Sequence, residues 1–160
     1  MRSYPCRLLA ALCFLVLCAG ANAQKGPQPN SIVVLTGART LTHYRADGTV
    51  KEYKVGVGRE GFQWWGVKYI DRKAEWPDWH PTPEMRKSDP KLPKVVKGGP
   101  HNPLGARALY LKGTLYRIHG SNDISSVGEA ASAGCFRMSN EDVIDLYKHV
   151  VIGTKVVVLP

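Results

Sequence analysis

The chain has 160 residues, a formal net charge of +9 at neutral pH and four cysteines. That length supports one compact domain with a real core rather than two. The 22 basic residues are scattered, with no dense run and no recognition motif, which argues against nucleic acid as a partner and leaves an anionic surface or a merely solvated one.

Residues 1–23 read as a signal peptide. Arg2 and Arg7 precede a short apolar run from Leu8 to Ala19, and Ala21-Asn22-Ala23 places small residues at −3 and −1 before Gln24. The run is short for a permanent membrane span, so the membrane is met only transiently through this leader. Leu15-Val16-Leu17-Cys18 has a bulky Leu17 where lipidation favours a small residue. Cleavage removes Cys6, Cys13 and Cys18 and leaves one cysteine, Cys135, in an oxidising compartment. A lone thiol there calls for a reason.

Residues 24–30 form a flexible leader rich in Gly, Pro and Gln, and residues 31–160 form the domain. Ser31 to Leu35 reads as a strand. Thr40 to Ala46 and Thr49 to Val57 read as a hairpin closed by a tight two-residue Asp47-Gly48 turn. Gly66 to Ile70 reads as a further strand; adjacent Trp64 and Trp65 before it suit the core, but neighbouring strand positions face opposite sides, so at least one of them is also a candidate to line a groove. Residues 74–103 carry seven prolines with Trp76 and Trp79. Such a stretch is too long for a simple connection and reads as an ordered functional loop or lid.

Regular structure resumes with a strand at Ala108 to Leu111, a Lys112-Gly113 turn and a strand from Thr114 to Ile118 that delivers His119 at its end. Ser139 followed by Asp142 has capping-box spacing, and Val143, Leu146, Tyr147 and Val150 recur at helical intervals. Gly153 stops that helix, and Lys155 to Leu159 is a last strand. The pattern is mostly β with one main helix near the C-terminus.

The chemistry concentrates between Ile118 and Asn140. His119-Gly120-Ser121 is separated by twelve residues from Ser132-Ala133-Gly134-Cys135-Phe136-Arg137, counting those between His119 and Ser132. A thiol attacks as thiolate, so it needs a basic or cationic neighbour, and a histidine at a strand end supplies one if the chain folds back. Gly134 permits a sharp turn, and backbone N–H groups at Gly134 and Cys135 suit an oxyanion hole. Arg137 suits either lowering the thiol pKa or pairing with a substrate carboxylate. His80 and His101 show no ligand spacing for zinc, so no metal is expected, and a thiol–histidine acyl transfer requires no cofactor.

Together these residues resemble the L,D-transpeptidase family, the YkuD-type catalytic domain, whose signature is Ile-His-Gly followed by Ser-His-Gly-Cys-aliphatic-Arg or -Asn. The likeness is dense over residues 98–159 and looser over 31–70. It implies a β-sandwich-like domain with one packed helix, Cys135 as nucleophile and His119 as its base. A carbonyl at Gly120 or Ser121 would orient the imidazole, Gly134 and Cys135 would offer oxyanion N–H groups, and Ser132, Arg137 and Trp65 would shape the substrate site. The substrates implied are peptidoglycan stem peptides, with an amine of another stem or of an envelope lipoprotein as acceptor, in the periplasm. Ala133 departs from the family's histidine, and Gln63-Trp64-Trp65-Gly66 stands where many members carry Thr-Pro-x-Gly. Transfer to an amine, hydrolysis of the same acyl group, and a non-catalytic wall-binding module all remain open on sequence.

Overall fold

The computed structural model describes residues 26–160, so residues 1–23 and the start of the 24–30 leader lie outside the described residues. Strands β1 (Ser31–Leu35), β2 (Thr40–Tyr44) and β3 (Val50–Lys54) form an antiparallel meander. The β2–β3 connection differs from the expected two-residue turn. Gly48, at φ 84°, donates its N–H to Arg45 O at 3.1 Å, and Arg45 N–H donates to Thr49 O at 2.8 Å. This is a three-residue loop, Ala46-Asp47-Gly48, closed by a glycine in the left-handed region. Asp47 stabilises the longer form by accepting the Thr49 N–H at 2.9 Å.

Beyond the short β4 (Val57–Gly58), β5 (Gly66–Glu75) runs ten residues, well past Ile70, and bends through a register shift between Ile70 and Arg72. Helix α1 (Pro83–Ser88) then stands within the proline-rich stretch. Thr82 caps it by accepting the Met85 N–H at 3.2 Å, and Pro83 occupies a first-turn position where its missing N–H costs nothing. Next come β6 (Arg107–Leu111), β7 (Arg117–His119), β8 (Ala130–Ser132), β9 (Phe136–Arg137), α2 (Asn140–His149) and β10 (Lys155–Leu159). The large sheet has the order β3-β2-β1-β10-β5-β6-β7-β9, while β4 pairs with β8. Two pairings within the large sheet are parallel, β1 with β10 and β7 with β9.

Long β5 belongs to both halves of this curled sheet, which gives the expected sandwich-like form. Ile32, Val34, Leu109, Ile118, Phe136, Val156 and Val158 are buried between the halves. Helix α2 adds Val143 and Leu146 to that core and packs on β6 and β7. Ser139 caps its start by accepting the Asp142 N–H at 3.0 Å. Lys73 of β5 closes its end, donating to Tyr147 O at 2.7 Å and Val150 O at 2.5 Å, so a cation meets the helix's negative end. Among the described residues no helix is long and apolar enough to cross a membrane.

One core position is costly. His43 on β2 is fully buried, and neither ring nitrogen has a hydrogen-bond partner. Burial, then the charges of Arg45 and His149, lower its pKa to about 4. A histidine that binds its proton less well when folded gives stability that is fully present above about pH 6.5 and is lost as pH falls towards 4. His43→Leu removes both the orphan nitrogens and this linkage. Urea midpoints at pH 7 and pH 5 are expected to fall less in the variant than in the parent; equal falls would exclude His43 as a source of the acid sensitivity.

Candidate active site

The parallel pairing of β7 with β9 puts His119 opposite Arg137, with Cys135 just before β9. The loop joining them returns through Ala130–Ser132 of β8. His119, Cys135, Ser132, Ser121 and Arg137 all line one cleft of about 670 Å³. Its opposite wall is the proline-rich excursion, through Trp79, Thr82, Met85, Leu92 and Pro103. The stretch expected as an ordered functional loop or lid at 74–103 forms a wall of the cleft and carries its own short helix.

Asn102 holds that wall. Its side chain is fully buried; the two amide hydrogens are shared among Pro77 O at 3.1 Å, Val96 O at 2.8 Å and Lys97 O at 3.0 Å, and Oδ1 accepts the Leu104 N–H at 2.7 Å. Asn140, first residue of α2, joins the wall to the histidine loop. It accepts the Ala106 N–H at 2.8 Å and donates to Ser121 O at 3.1 Å. Sequence reading assigned neither asparagine, because their partners are distant backbone groups.

His119 is buried, and its Nδ1 lies 2.5 Å from Gly120 O. A carbonyl only accepts, so Nδ1 carries the hydrogen and Nε2 is left as the basic nitrogen. Gly120 is thus the orienting carbonyl, while Ser121 O is occupied by Asn140. Burial is the largest influence on the imidazole and lowers its pKa to about 4, with Arg137 and Arg117 adding to the fall. Burial also pushes the Cys135 thiol up, against the pull of Arg117 and then Arg137. The resting pair is accordingly neutral thiol and neutral imidazole.

The Gly134 turn has φ 106°, and a β-carbon there would fall 2.4 Å from the Tyr116 ring. Its N–H does not serve as the expected oxyanion donor: it donates to Ser132 Oγ at 3.0 Å. Ser132 in turn donates to Cys135 O at 2.6 Å, so its hydroxyl staples the nucleophile loop while the residue lines the cleft. The Cys135 N–H has no partner among the described residues and remains as the donor from this turn.

Trp65 lies away from the cleft, against the expectation that it shapes the substrate site. It is 54% exposed and donates to Thr36 Oγ1 at 3.2 Å. Trp64 supports the site from behind, packed against the core and stacked on the cleft-lining Tyr116 with centroids 5.1 Å apart, and donates from Nε1 to Gly134 O at 2.8 Å. The guanidinium of Arg137 has no protein partner among the described residues and opens on the cleft. Among those residues no three His, Cys, Asp or Glu side chains gather as a metal site.

A family model for the YkuD L,D-transpeptidase catalytic domain matches residues 29–158. The chain belongs to this family. The Escherichia coli protein described as "Probable L,D-transpeptidase ErfK/SrfK" is 38% identical over 137 residues, covering 80% of this chain and 43% of that protein. "Probable L,D-transpeptidase YbiS" of the same organism is 38% identical over 133 residues, covering 78% and 43%. The chain thus spans less than half the length of these curated relatives.

Solved structures share the fold. L,D-transpeptidase 3 from Mycobacterium tuberculosis, in complex with a faropenem-derived adduct, superposes with a TM-score of 0.64 at 17% identity, covering 81% of this chain and 60% of that one. The Enterococcus faecium L,D-transpeptidase catalytic domain, acylated by ertapenem, gives 0.62 at 20% identity, covering 84% and 100%. Within the YkuD frame, Ala133 lines the cleft where the resemblance expects a histidine. His119, tethered to Gly120, is the cleft-lining imidazole among the described residues.

Proposed function

We propose that the protein is a peptidoglycan L,D-transpeptidase with Cys135 as nucleophile and His119 as general base. The observation that carries this reading is a thiol lining the same cleft as an imidazole whose Nδ1–H is tied to Gly120 O, leaving Nε2 basic. His119 Nε2 takes the thiol proton as Sγ attacks the carbonyl carbon at the L-centre of the third residue in a stem tetrapeptide. The Cys135 N–H supports the oxyanion. The C–N bond to terminal D-alanine breaks, the leaving amine takes the proton from His119, and a thioester remains. An acceptor amine then attacks, gives its proton to His119, and the sulfur leaves as thiolate. The partnerless Arg137 guanidinium suits the terminal carboxylate of the donor stem as a paired, charge-assisted contact.

The acceptor amine belongs to a neighbouring stem, giving a 3→3 crosslink, or to an envelope lipoprotein. We further propose export to the periplasm; the charged, apolar and small-residue segments of residues 1–23 support it.

Intact mass of the mature protein after incubation with a disaccharide tetrapeptide tests the reaction, with Cys135→Ala in parallel. The expected result is an adduct, or D-alanine release, only in the parent. Ertapenem is a second acylating probe for the same thiol. Supplying an acceptor amine separates the outcomes: dimeric product identifies transfer, and tripeptide alone identifies hydrolysis. A folded parent that neither forms an adduct nor releases D-alanine would overturn the enzymatic reading in favour of wall binding.

A further inference from the structure

Arg117 stands two residues before His119 on β7, so strand alternation turns both side chains to one face. Arg117, His119 and Cys135 line the cleft together on that face. The β6–β7 ladder orients the Arg117 backbone as well. Leu111 N–H donates to Tyr116 O and Gly120 N–H donates to Arg107 O, each at 3.1 Å. In an antiparallel ladder such positions alternate with ones whose N–H points away from the partner strand. Arg117, opposite Tyr110, is one of the latter, so its N–H turns from β6 towards the side of β9 and Cys135.

The guanidinium is held in place without being neutralised. It lies 5.3 Å from the Tyr110 ring, on which Arg72 also stacks at 3.4 Å. Arg107, Arg39 and Arg45 each pair with a carboxylate, at Glu75, Glu129 and Asp145. Arg117 pairs with none among the described residues, and its Nε is buried without an acceptor. A buried donor left unpaired costs free energy, and that cost is recovered when an anion arrives.

We propose that Arg117 is a thiolate-stabilising residue of this site, its guanidinium and backbone N–H facing Cys135 and holding the charge that forms on sulfur. The S–H bond breaks, the proton goes to His119 Nε2, and the electron pair stays on Sγ beside Arg117. Among the groups facing the thiol, Arg117 opposes the effect of burial most strongly, ahead of Arg137 from β9. Arg59, Glu84 of α1 and Asp123 are the other charged groups along the cleft. Both Arg117 and Arg137 disfavour imidazolium on His119, so the proton it takes passes readily to the leaving amine. This last step rests on the transpeptidase reading; the effect on the thiol does not.

Iodoacetamide alkylation of the full mature protein, measured against pH, reads the thiolate without any cell-wall substrate. Arg117→Met is expected to raise the alkylation midpoint by about one pH unit or more, slowing reaction at neutral pH by about tenfold, with Arg117→Lys recovering part of the loss. Arg117→Gln replaces the Met variant if the latter unfolds. An unchanged midpoint in a folded variant overturns the proposal, and so does an equal rise in the Lys and Met variants, which would mark a packing role. A shifted midpoint in a protein that the tetrapeptide never acylates would sink the transpeptidase reading and leave the role of Arg117 standing.

Discussion

His119→Gln is expected to slow acylation of Cys135 by about 10²–10⁴-fold while the domain stays folded. Glutamine fills much of the imidazole's volume and stays polar, but it offers no nitrogen able to take a proton. The size of the loss follows from the resting state. Burial raises the thiol pKa and lowers that of the imidazole to about 4, so no thiolate–imidazolium pair stands ready. The proton must move as the sulfur attacks, and without a base the thiol at neutral pH is a poor nucleophile.

The same geometry sets the acid limb of the reaction. The working form of His119 is neutral, and protonation inactivates it. An ordinary histidine would impose that loss near pH 6.5, whereas His119 keeps its base form down to about pH 4. Initial acylation rates taken over minutes between pH 4 and 7 are expected to fall only near the lower end, and the His119→Gln rate is expected to show no such limb. A parent limb centred near 6.5, or a variant within a few-fold of the parent, would remove His119 from the role of buried base. Brief assays are needed because His43 weakens the fold over the same acid range.

What was legible in the sequence was whatever local chemistry fixes. The valine-rich strands, the Ser139 cap and the histidine at a strand end follow from side-chain period and capping geometry, which need no knowledge of the rest of the chain. Helix α1 was legible too, since Thr82-Pro83-Glu84 is a cap, a first-turn proline and a first-turn acid, but the surrounding prolines masked it. Arg117 was within reach for a similar reason: two residues before His119 on one strand means the same face. Trp64 and Trp65 show where such reading stops. Alternation says that they face opposite ways, and only the closure of β5 against the rest of the sheet decides which one meets Gly134. The Ser132 hydroxyl is intermediate. A serine two residues before a glycine readily accepts its N–H, yet the expected oxyanion role concealed that simpler partner.

Gly134→Ala is expected to cost about 2–4 kcal/mol of stability and to lower acylation by on the order of 100-fold. Two independent penalties meet at this residue. Its φ of 106° is a conformation that side chains with a β-carbon rarely adopt, and the added carbon would lie 2.4 Å from Tyr116 Cε1. Tyr116 is stacked on Trp64 at an interplanar angle of 8°, so it retreats only by giving up that stacking. Trp64 in turn holds Gly134 O through its indole N–H, so displacing the tyrosine loosens the bond that fixes the turn. The Ser132 staple spans the same residues, and movement of Gly134 N therefore carries Cys135 with it. Thermal melting and adduct formation by mass spectrometry measure the two losses separately. Tyr116→Ala in the same chain relieves the clash but not the dihedral strain, so the double variant is expected to be less destabilised than the sum of the singles while remaining slow. Strict additivity would mean that Gly134 and Tyr116 act independently, and a Gly134→Ala protein that melts and acylates like the parent would show that the turn relaxes without moving the thiol.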